Sequence, residues 1–287
     1  MTSPATLDLP TRRIAYTVSG PDDGPVLVLG SSVGSTGTMW EPQVAALSGT
    51  HRVVRYDHRG HGGSRPSTPP RSIADLGGDV VALLDHLGVA KASLAGLSLG
   101  GMVAMWVAAH HPDRVDRVAL FCTAALLGPR ENWLQRAATV RGAGMASIAD
   151  AVLARWFTPG YPARHLDVVA RLRAEFEAVD PEAYAACCES IADMDLREDL
   201  ARISAPTLVV AGRDDPATPP ALAGDIAGRI RGARLAVVPD AAHLGSVEQP
   251  AAFTALLLGH LDGTLDGGSG PSYDEGMALR RVLEGDS

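Results

Sequence analysis

The stretch Gly96-Leu97-Ser98-Leu99-Gly100-Gly101 decides the fold of this chain, because it joins a strand pattern to a helical one. The apolar run at 91–95 predicts a strand before it, and the run at 102–109 predicts a helix after it. Gly-x-Ser-x-Gly in this setting is typical of a sharp turn whose glycines leave no room for side chains. Such a turn holds a serine hydroxyl above the sheet edge, at the positive end of the helix dipole. We therefore expect Ser98 to be a nucleophile.

The composition is that of a globular enzyme. The chain has 287 residues, of which 46% are hydrophobic, and a formal net charge of −8. A chain of this length buries about 75% of its unfolded surface, so it needs neither disulfides nor a structural metal. The negative charge argues against nucleic acid or an anionic membrane surface as a partner. We expect a cytoplasmic protein without a metal, because residues 1–10 lack a signal-peptide pattern, no apolar run approaches a membrane span, and the three cysteines lack metal-ligand spacing.

Apolar runs and helical patterns alternate along most of the chain, which predicts an α/β fold with a mostly parallel sheet flanked by helices. An antiparallel start is expected from the first two strands, because residues 20–24 form a short turn. The predicted strands are Ile14–Val18, Val26–Leu29, Arg52–Tyr56, Ala92–Ala95, Val118–Cys122, Thr207–Ala211 and Leu235–Val238. The predicted helices between them are Met39–Leu47, Ile73–Leu87, Gly101–His110, Ala221–Ile230 and Ala251–His260.

The alternation stops after Cys122, and only helical patterns follow until the strand at residue 207. A helical insertion between two strands is typical of a cap over the strand ends. We therefore divide the chain into a core at 1–125 and 197–262, a helical cap at 126–196, and a linker with a tail at 263–287. The glycine-rich composition of 262–271 supports the linker.

A serine nucleophile needs a base within hydrogen-bond reach and an acid that orients the base, in the chain order Ser, Asp or Glu, His. His243 fits the base, because it lies in a loop between the last predicted strand and the last predicted helix. Asp214 and Asp215 follow the strand that ends at residue 211, and either fits the acid by position alone. No acid follows the preceding strand, where the chain reads Cys122-Thr123-Ala124-Ala125.

Two backbone N–H groups are needed to bind the oxyanion of an acyl transfer, one from the residue after the nucleophile and one from an early loop. Leu99 supplies the first. The candidate for the second is Ser32, within the run Gly30-Ser31-Ser32-Val33-Gly34 after a predicted strand. The further loop Tyr56–Ser64 is interpreted as structural, shaped by its glycines and supported by Asp57 and Arg59.

Taken together, these residues resemble the α/β-hydrolase superfamily over about residues 12–261. The closer resemblance is to the 3-oxoadipate enol-lactonases. It is carried by Gly30–Gly34, Gly96–Met102, the cap runs 133–141, 148–159 and 187–197, and Asp215-Pro216-Ala217-Thr218-Pro219-Pro220. The resemblance implies that Asp215, rather than Asp214, meets His243. It also implies a cofactor-free serine hydrolase that opens 3-oxoadipate enol-lactone to 3-oxoadipate in aromatic catabolism.

The tail, Tyr273–Asp286, is similar to the beginning of 4-carboxymuconolactone decarboxylase, which in some bacteria is fused behind the enol-lactonase. The similarity ends before the catalytic region of that family, so we expect no decarboxylase activity.

A small lactone that carries a carboxylate needs a cationic pocket. The candidates are the cap residues Arg130, Arg136, Arg141 and Arg155, with Trp133 and Trp156 as pocket walls or, equally, as cap core. The alternatives left open are another carboxylesterase, a C–C bond hydrolase, a cofactor-free perhydrolase, and a non-catalytic binding protein on the same scaffold. A homo-oligomer is also left open.

Overall fold

A computed structural model describes residues 4–65 and 67–265, and within them eight strands form one sheet. The strands are β1 Ala5–Leu9, β2 Arg12–Ser19, β3 Val26–Gly30, β4 Arg52–Tyr56, β5 Ala92–Leu97, β6 Val115–Phe121, β7 Thr207–Gly212 and β8 Arg234–Val238. Their order in the sheet is β1-β2-β4-β3-β5-β6-β7-β8. β2 runs antiparallel to both of its neighbours, and all the other neighbouring strands are parallel. The predicted α/β class, with a mostly parallel sheet, is confirmed.

Helices flank this sheet, and the central strands are apolar as a result. Every residue of β5 and β7 is buried, as expected for parallel strands that are covered on both faces. The flanking helices are α1 Glu41–Leu47, α2 Ile73–His86, α3 Leu99–His110, α9 Pro220–Arg229, α10 Gly245–Glu248 and α11 Pro250–Leu261.

Five further helices lie between β6 and β7 and form the cap. They are α4 Arg130–Ala143, α5 Ala149–Trp156, α6 Tyr161–Arg164, α7 Leu166–Glu177 and α8 Pro181–Ala192. All five fall within the predicted cap segment, and α4 packs against α8. The end of α5 is hydrogen-bonded to the core, since the Leu244 N–H donates to the Trp156 carbonyl at 2.8 Å.

The strand order places a crevice at the carboxyl ends of β3 and β5. β4 lies on one side of β3 and β5 on the other, so the connections from these strands diverge. Open α/β sheets bind their ligands at such a point. Gly30 pairs with Gly96 across the two strands, so the loop after β3 and the turn after β5 begin side by side.

The antiparallel start of the sheet differs from the prediction. The strands predicted at 14–18 and 26–29 do not pair, because β4 lies between them and Tyr16 pairs with Tyr56. The antiparallel partner on the other side is β1, which the sequence did not reveal. Only Leu7 of its five residues is buried, so its apolar signal is weak.

The predicted linker begins later than residue 262. Leu265 donates its N–H to the Gly259 carbonyl at 3.0 Å, and its side chain packs against the core. The rest of the predicted linker and the decarboxylase-like segment Tyr273–Asp286 lie outside the described residues. Within the described part of the chain, no helix is both long enough and apolar enough to cross a membrane.

Candidate active site

The turn between β5 and α3 has the strained geometry that its sequence predicts. Ser98 has φ +55° and ψ −114°, a region that residues other than glycine rarely occupy. A Cβ on Gly96 would lie 2.2 Å from the Gly100 backbone, and a Cβ on Gly100 would lie 2.2 Å from the Gly30 carbonyl oxygen. The glycines are therefore required by close backbone packing. The turn puts Ser98 on the wall of a cavity above the sheet.

An acid and a base meet beside this cavity. Asp215 follows β7 and His243 follows β8, and the His243 Nδ1–H donates to Asp215 Oδ2 at 2.9 Å. Both side chains are buried. Asp214 is exposed, so the structure places Asp215, and not its neighbour, against the imidazole.

Every oxygen of the Asp215 carboxylate has a donor. Oδ1 accepts the N–H groups of Ala217 and Thr218 at 2.8 and 3.0 Å, and Oδ2 accepts the Thr218 hydroxyl at 2.6 Å besides the imidazole. Burial by itself raises the pKa of Asp215, but the nearby imidazole and these hydrogen bonds outweigh burial and hold the pKa below its usual value. Asp215 is therefore ionised at neutral pH, which fixes the His243 tautomer with Nε2 free to accept a proton.

Ser98 and His243 line the same cavity. Among the described residues, no hydrogen bond within 3.5 Å joins the serine hydroxyl to the imidazole. Catalytic hydrogen bonds are often long in an empty site and shorten when substrate binds. The Ser98 hydroxyl and the oriented His243 base therefore face the same cavity without a hydrogen bond between them.

The two predicted oxyanion donors lie at neighbouring backbone positions. Leu99 is the first residue of α3, where N–H groups have no acceptor within the helix. The Ser32 N–H lies 3.4 Å from Met39 Sδ, a weak acceptor that a developing oxyanion outcompetes. The loop and the helix are tied together, because the Gly100 N–H donates to the Ser31 carbonyl at 3.0 Å.

The cavity has a volume of about 240 Å³, and residues of both the core and the cap line it. Trp133 and Trp156 both line it, although Trp156 is also almost completely buried in the cap core. Among the residues that line the cavity are Ser32, Ser98, Ala217 and His243 from the core and Trp133, Arg136, Arg155, Trp156 and Tyr184 from the cap.

The four candidate arginines of the cap divide into two pairs. Arg130 is bound to Asp193 at 2.7 Å, and Arg141 is bound to Glu182 and Glu189, and neither arginine is among the residues that line the cavity. Arg136 and Arg155 line the cavity, and neither has a carboxylate partner in the described part of the chain. The Arg136 guanidinium lies over the Trp133 ring, 4.6 Å from its centre.

Three residues at or beside the cavity were not singled out from the sequence. Thr218 holds Asp215, as described above. Tyr184 lines the cavity, and its side chain is completely buried. Glu248 is a buried carboxylate that accepts the Ala242 N–H at 2.8 Å with one oxygen and the N–H of a cap loop at 2.9 Å with the other. The only signal for Glu248 was a single acid in an otherwise apolar segment after the histidine.

Comparison with known proteins identifies the family of this chain. The model of the alpha/beta hydrolase family matches residues 26–256. "3-oxoadipate enol-lactonase 2" of Acinetobacter baylyi is 40% identical over 238 residues, which are 83% of this chain and 89% of that protein. "Putative carbamate hydrolase RutD" of Caulobacter sp. is 34% identical and covers 84% of this chain and 92% of its own length. The enol-lactonase crystal structure from Burkholderia xenovorans LB400 has a TM-score of 0.88 and 42% identity, over 90% of this chain and 100% of that one. The chain therefore belongs to the alpha/beta hydrolase family.

Proposed function

We propose that this protein is a cofactor-free serine hydrolase that opens a small enol-lactone carrying a carboxylate, with 3-oxoadipate enol-lactone as the substrate. The observation that carries the proposal is the pair of arginines, Arg136 and Arg155, that line the same cavity as the proposed nucleophile Ser98. Guanidinium groups without a carboxylate partner bind a substrate carboxylate well. The similarity to two enol-lactonases supports the same substrate class.

In the first half of the proposed reaction, Ser98 Oγ attacks the lactone carbonyl carbon while His243 Nε2 takes the hydroxyl proton. The negative charge that develops on the carbonyl oxygen is bound by the N–H groups of Leu99 and Ser32, and each such donor is worth about 3–4 kcal/mol. The ring C–O bond then breaks. The leaving group departs as an enolate, which takes the proton held by His243 Nε2 and becomes a ketone, so that the imidazole is neutral again.

In the second half, a water molecule gives its proton to His243 Nε2 and attacks the acyl-enzyme. The same oxyanion donors bind the second tetrahedral intermediate. His243 then returns the proton to Ser98 Oγ as the C–O bond to serine breaks, and the free carboxylate leaves. Asp215 stabilises the imidazolium in both halves and keeps its own charge throughout.

The test is a comparison of kcat/KM for the enol-lactone with that for neutral esters of similar size, such as p-nitrophenyl acetate. The proposal predicts turnover of both substrates with a clear preference for the lactone, and the loss of both in Ser98→Ala. A protein that turns over only the neutral esters would refute the lactone assignment while leaving the serine chemistry in place.

A second candidate substrate is a carbamate, because the Caulobacter relative is named for it and its similarity covers the same part of the chain. The attack by Ser98 is the same, but the leaving group is ammonia rather than an enolate. Release of ammonia from a carbamate, measured beside lactone opening, distinguishes the two. Faster turnover of the carbamate would favour the second candidate.

A further inference from the structure

Two histidines of the loop after β4 lie beneath the loop Gly30–Gly34, which we call the oxyanion loop. His58 and His61 are 2% and 0% exposed. Their rings pack edge to face, with centres 6.0 Å apart. The sequence suggests only a structural loop here, and the reaction derived above uses neither imidazole.

Each ring makes a hydrogen bond that identifies its protonated nitrogen. His58 Nε2 lies 2.9 Å from the Ser31 carbonyl oxygen, so this nitrogen carries the hydrogen and donates it. His61 Nδ1 lies 3.0 Å from the Arg59 carbonyl oxygen and is likewise a donor. His61 Nε2 accepts the Gly34 N–H at 2.9 Å, so it is bare. His61 must be neutral to make this pair of contacts.

The surroundings of the two rings favour the neutral form. Burial lowers the pKa of His58 to about 3 and that of His61 to about 4. The Tyr56 ring packs against His58, and the charges of Arg65 and Asp180 act on His61. Arg65 disfavours the imidazolium and Asp180 favours it, so the two partly cancel.

The loop that carries the histidines is itself anchored. The Arg59 guanidinium donates to both carboxylate oxygens of Asp79, at 2.6 and 2.8 Å. The Gly60 carbonyl accepts the N–H of Asp180 at 3.0 Å, at the start of cap helix α8. The loop that carries the imidazoles is therefore attached to both the core and the cap. Through their hydrogen bonds, the imidazoles fix the position of the oxyanion-loop backbone.

We propose that His58 and His61 are positioning residues of the oxyanion hole. Their contacts with Ser31 and Gly34 bracket Ser32, whose N–H is the expected donor to the oxyanion. A peptide held from both sides keeps its N–H direction when charge develops, which is the condition for strong electrostatic stabilisation. The inference rests on the proposed serine hydrolysis, but not on the identity of the lactone.

The test uses substitutions that remove or keep one hydrogen bond. His58→Leu and His61→Leu fill the space without a polar atom. His58→Gln keeps a donor for the Ser31 carbonyl, and His61→Gln keeps an acceptor for the Gly34 N–H. His51→Leu is the matched control, because His51 is a buried histidine next to the opposite end of β4.

Two measurements separate positioning from general stability. The first is kcat and KM for p-nitrophenyl acetate. The second is the affinity for a trifluoromethyl ketone, which forms an oxyanion on addition of Ser98, compared with the methyl ketone of the same shape, which does not. The proposal predicts that the leucine variants lose about 10- to 100-fold in both kcat and trifluoromethyl ketone affinity. KM and methyl ketone affinity stay within about twofold, the glutamine variants recover most of the loss, and His51→Leu behaves as wild type.

Equal losses for the two ketones, or no loss for the trifluoromethyl ketone in folded variants, would overturn the proposal. If the leucine variants do not fold, His61→Asn replaces them, because its shorter amide does not reach Gly34. Equal kcat for His61→Asn and His61→Gln would then contradict the positioning role. Wild-type protein that hydrolyses the ester but not the lactone refutes the substrate and leaves this inference standing.

Discussion

The core side and the cap side of the cavity differ in how their charged groups are paired. On the core side, the Asp215 carboxylate accepts four hydrogen bonds and faces an oriented imidazole. On the cap side, Arg136 and Arg155 face the cavity with no carboxylate partner among the described residues. The buried Asp215 charge is fully hydrogen-bonded without a ligand, whereas Arg136, which is half-buried, and Arg155, which is exposed, keep guanidinium donors available to an anion. From this difference we expect the core to supply the acyl-transfer chemistry and the cap to select among acyl substrates.

The first prediction concerns a variant that removes the nucleophile and leaves the cap unchanged. Ser98→Ala is expected to lower kcat/KM for every substrate by about 10⁴-fold or more, as removal of a serine nucleophile does in comparable triads. The thermal midpoint should hardly change, because the substitution removes one oxygen at the cavity wall. Retention of a tenth of the activity would show that another group attacks the substrate.

The second prediction tests whether Asp215 alone is the carboxylate that orients His243. Asp215→Asn is expected to lower kcat by about 10⁴-fold, because an amide favours the wrong tautomer of His243. Asp214→Asn is the matched control one residue away, and it should keep wild-type activity since its side chain is exposed. Similar losses in the two variants would mean that the hydrogen bond seen at Asp215 is not the functional one.

A third prediction concerns the place where core and cap are joined. Glu248→Gln replaces one carboxylate oxygen by an NH₂ group that faces a backbone N–H, either at Ala242 or in the cap loop. Leaving a buried donor without its acceptor should cost about 2–3 kcal/mol of the free energy of unfolding, measured by urea denaturation. Glu198→Gln, on an exposed acid, serves as the control. An unchanged free energy of unfolding would show that Glu248 does not hold the histidine loop to the cap.

The elements with strong local patterns were predictable, and those set by distant pairing were not. The turn at Ser98 was predictable because close packing allows only glycine at fixed positions around it. The place of β4 between β2 and β3 was not, since a short turn favours a hairpin and nothing local excludes it. β1 was not predicted from the sequence, because a half-exposed edge strand carries little apolar signal.

The same distinction holds for the site. Ser98 and His243 follow from spacing and chain order, but the resemblance was needed to choose between two adjacent aspartates. The choice among cap arginines depends on helix rotation. Arg136 and Arg141 are five residues apart on α4 and therefore point about 140° apart, so both cannot face one cavity. Which of them faces inward depends on how α4 packs against α8, and the local sequence does not determine that.

The central claim is that the cap arginines select a carboxylate while the core does chemistry of general use. The most direct measurement is kcat/KM for the enol-lactone and for its neutral methyl ester, in the cavity variants Arg136→Gln and Arg155→Gln and in the control variants Arg130→Gln and Arg141→Gln. We expect each cavity variant to lose about tenfold in kcat/KM on the anionic lactone, the equivalent of one charge-assisted hydrogen bond, and almost nothing on the ester. The control variants should match the wild type on both substrates. Equal losses on the two substrates, or losses confined to the control variants, would contradict the claim.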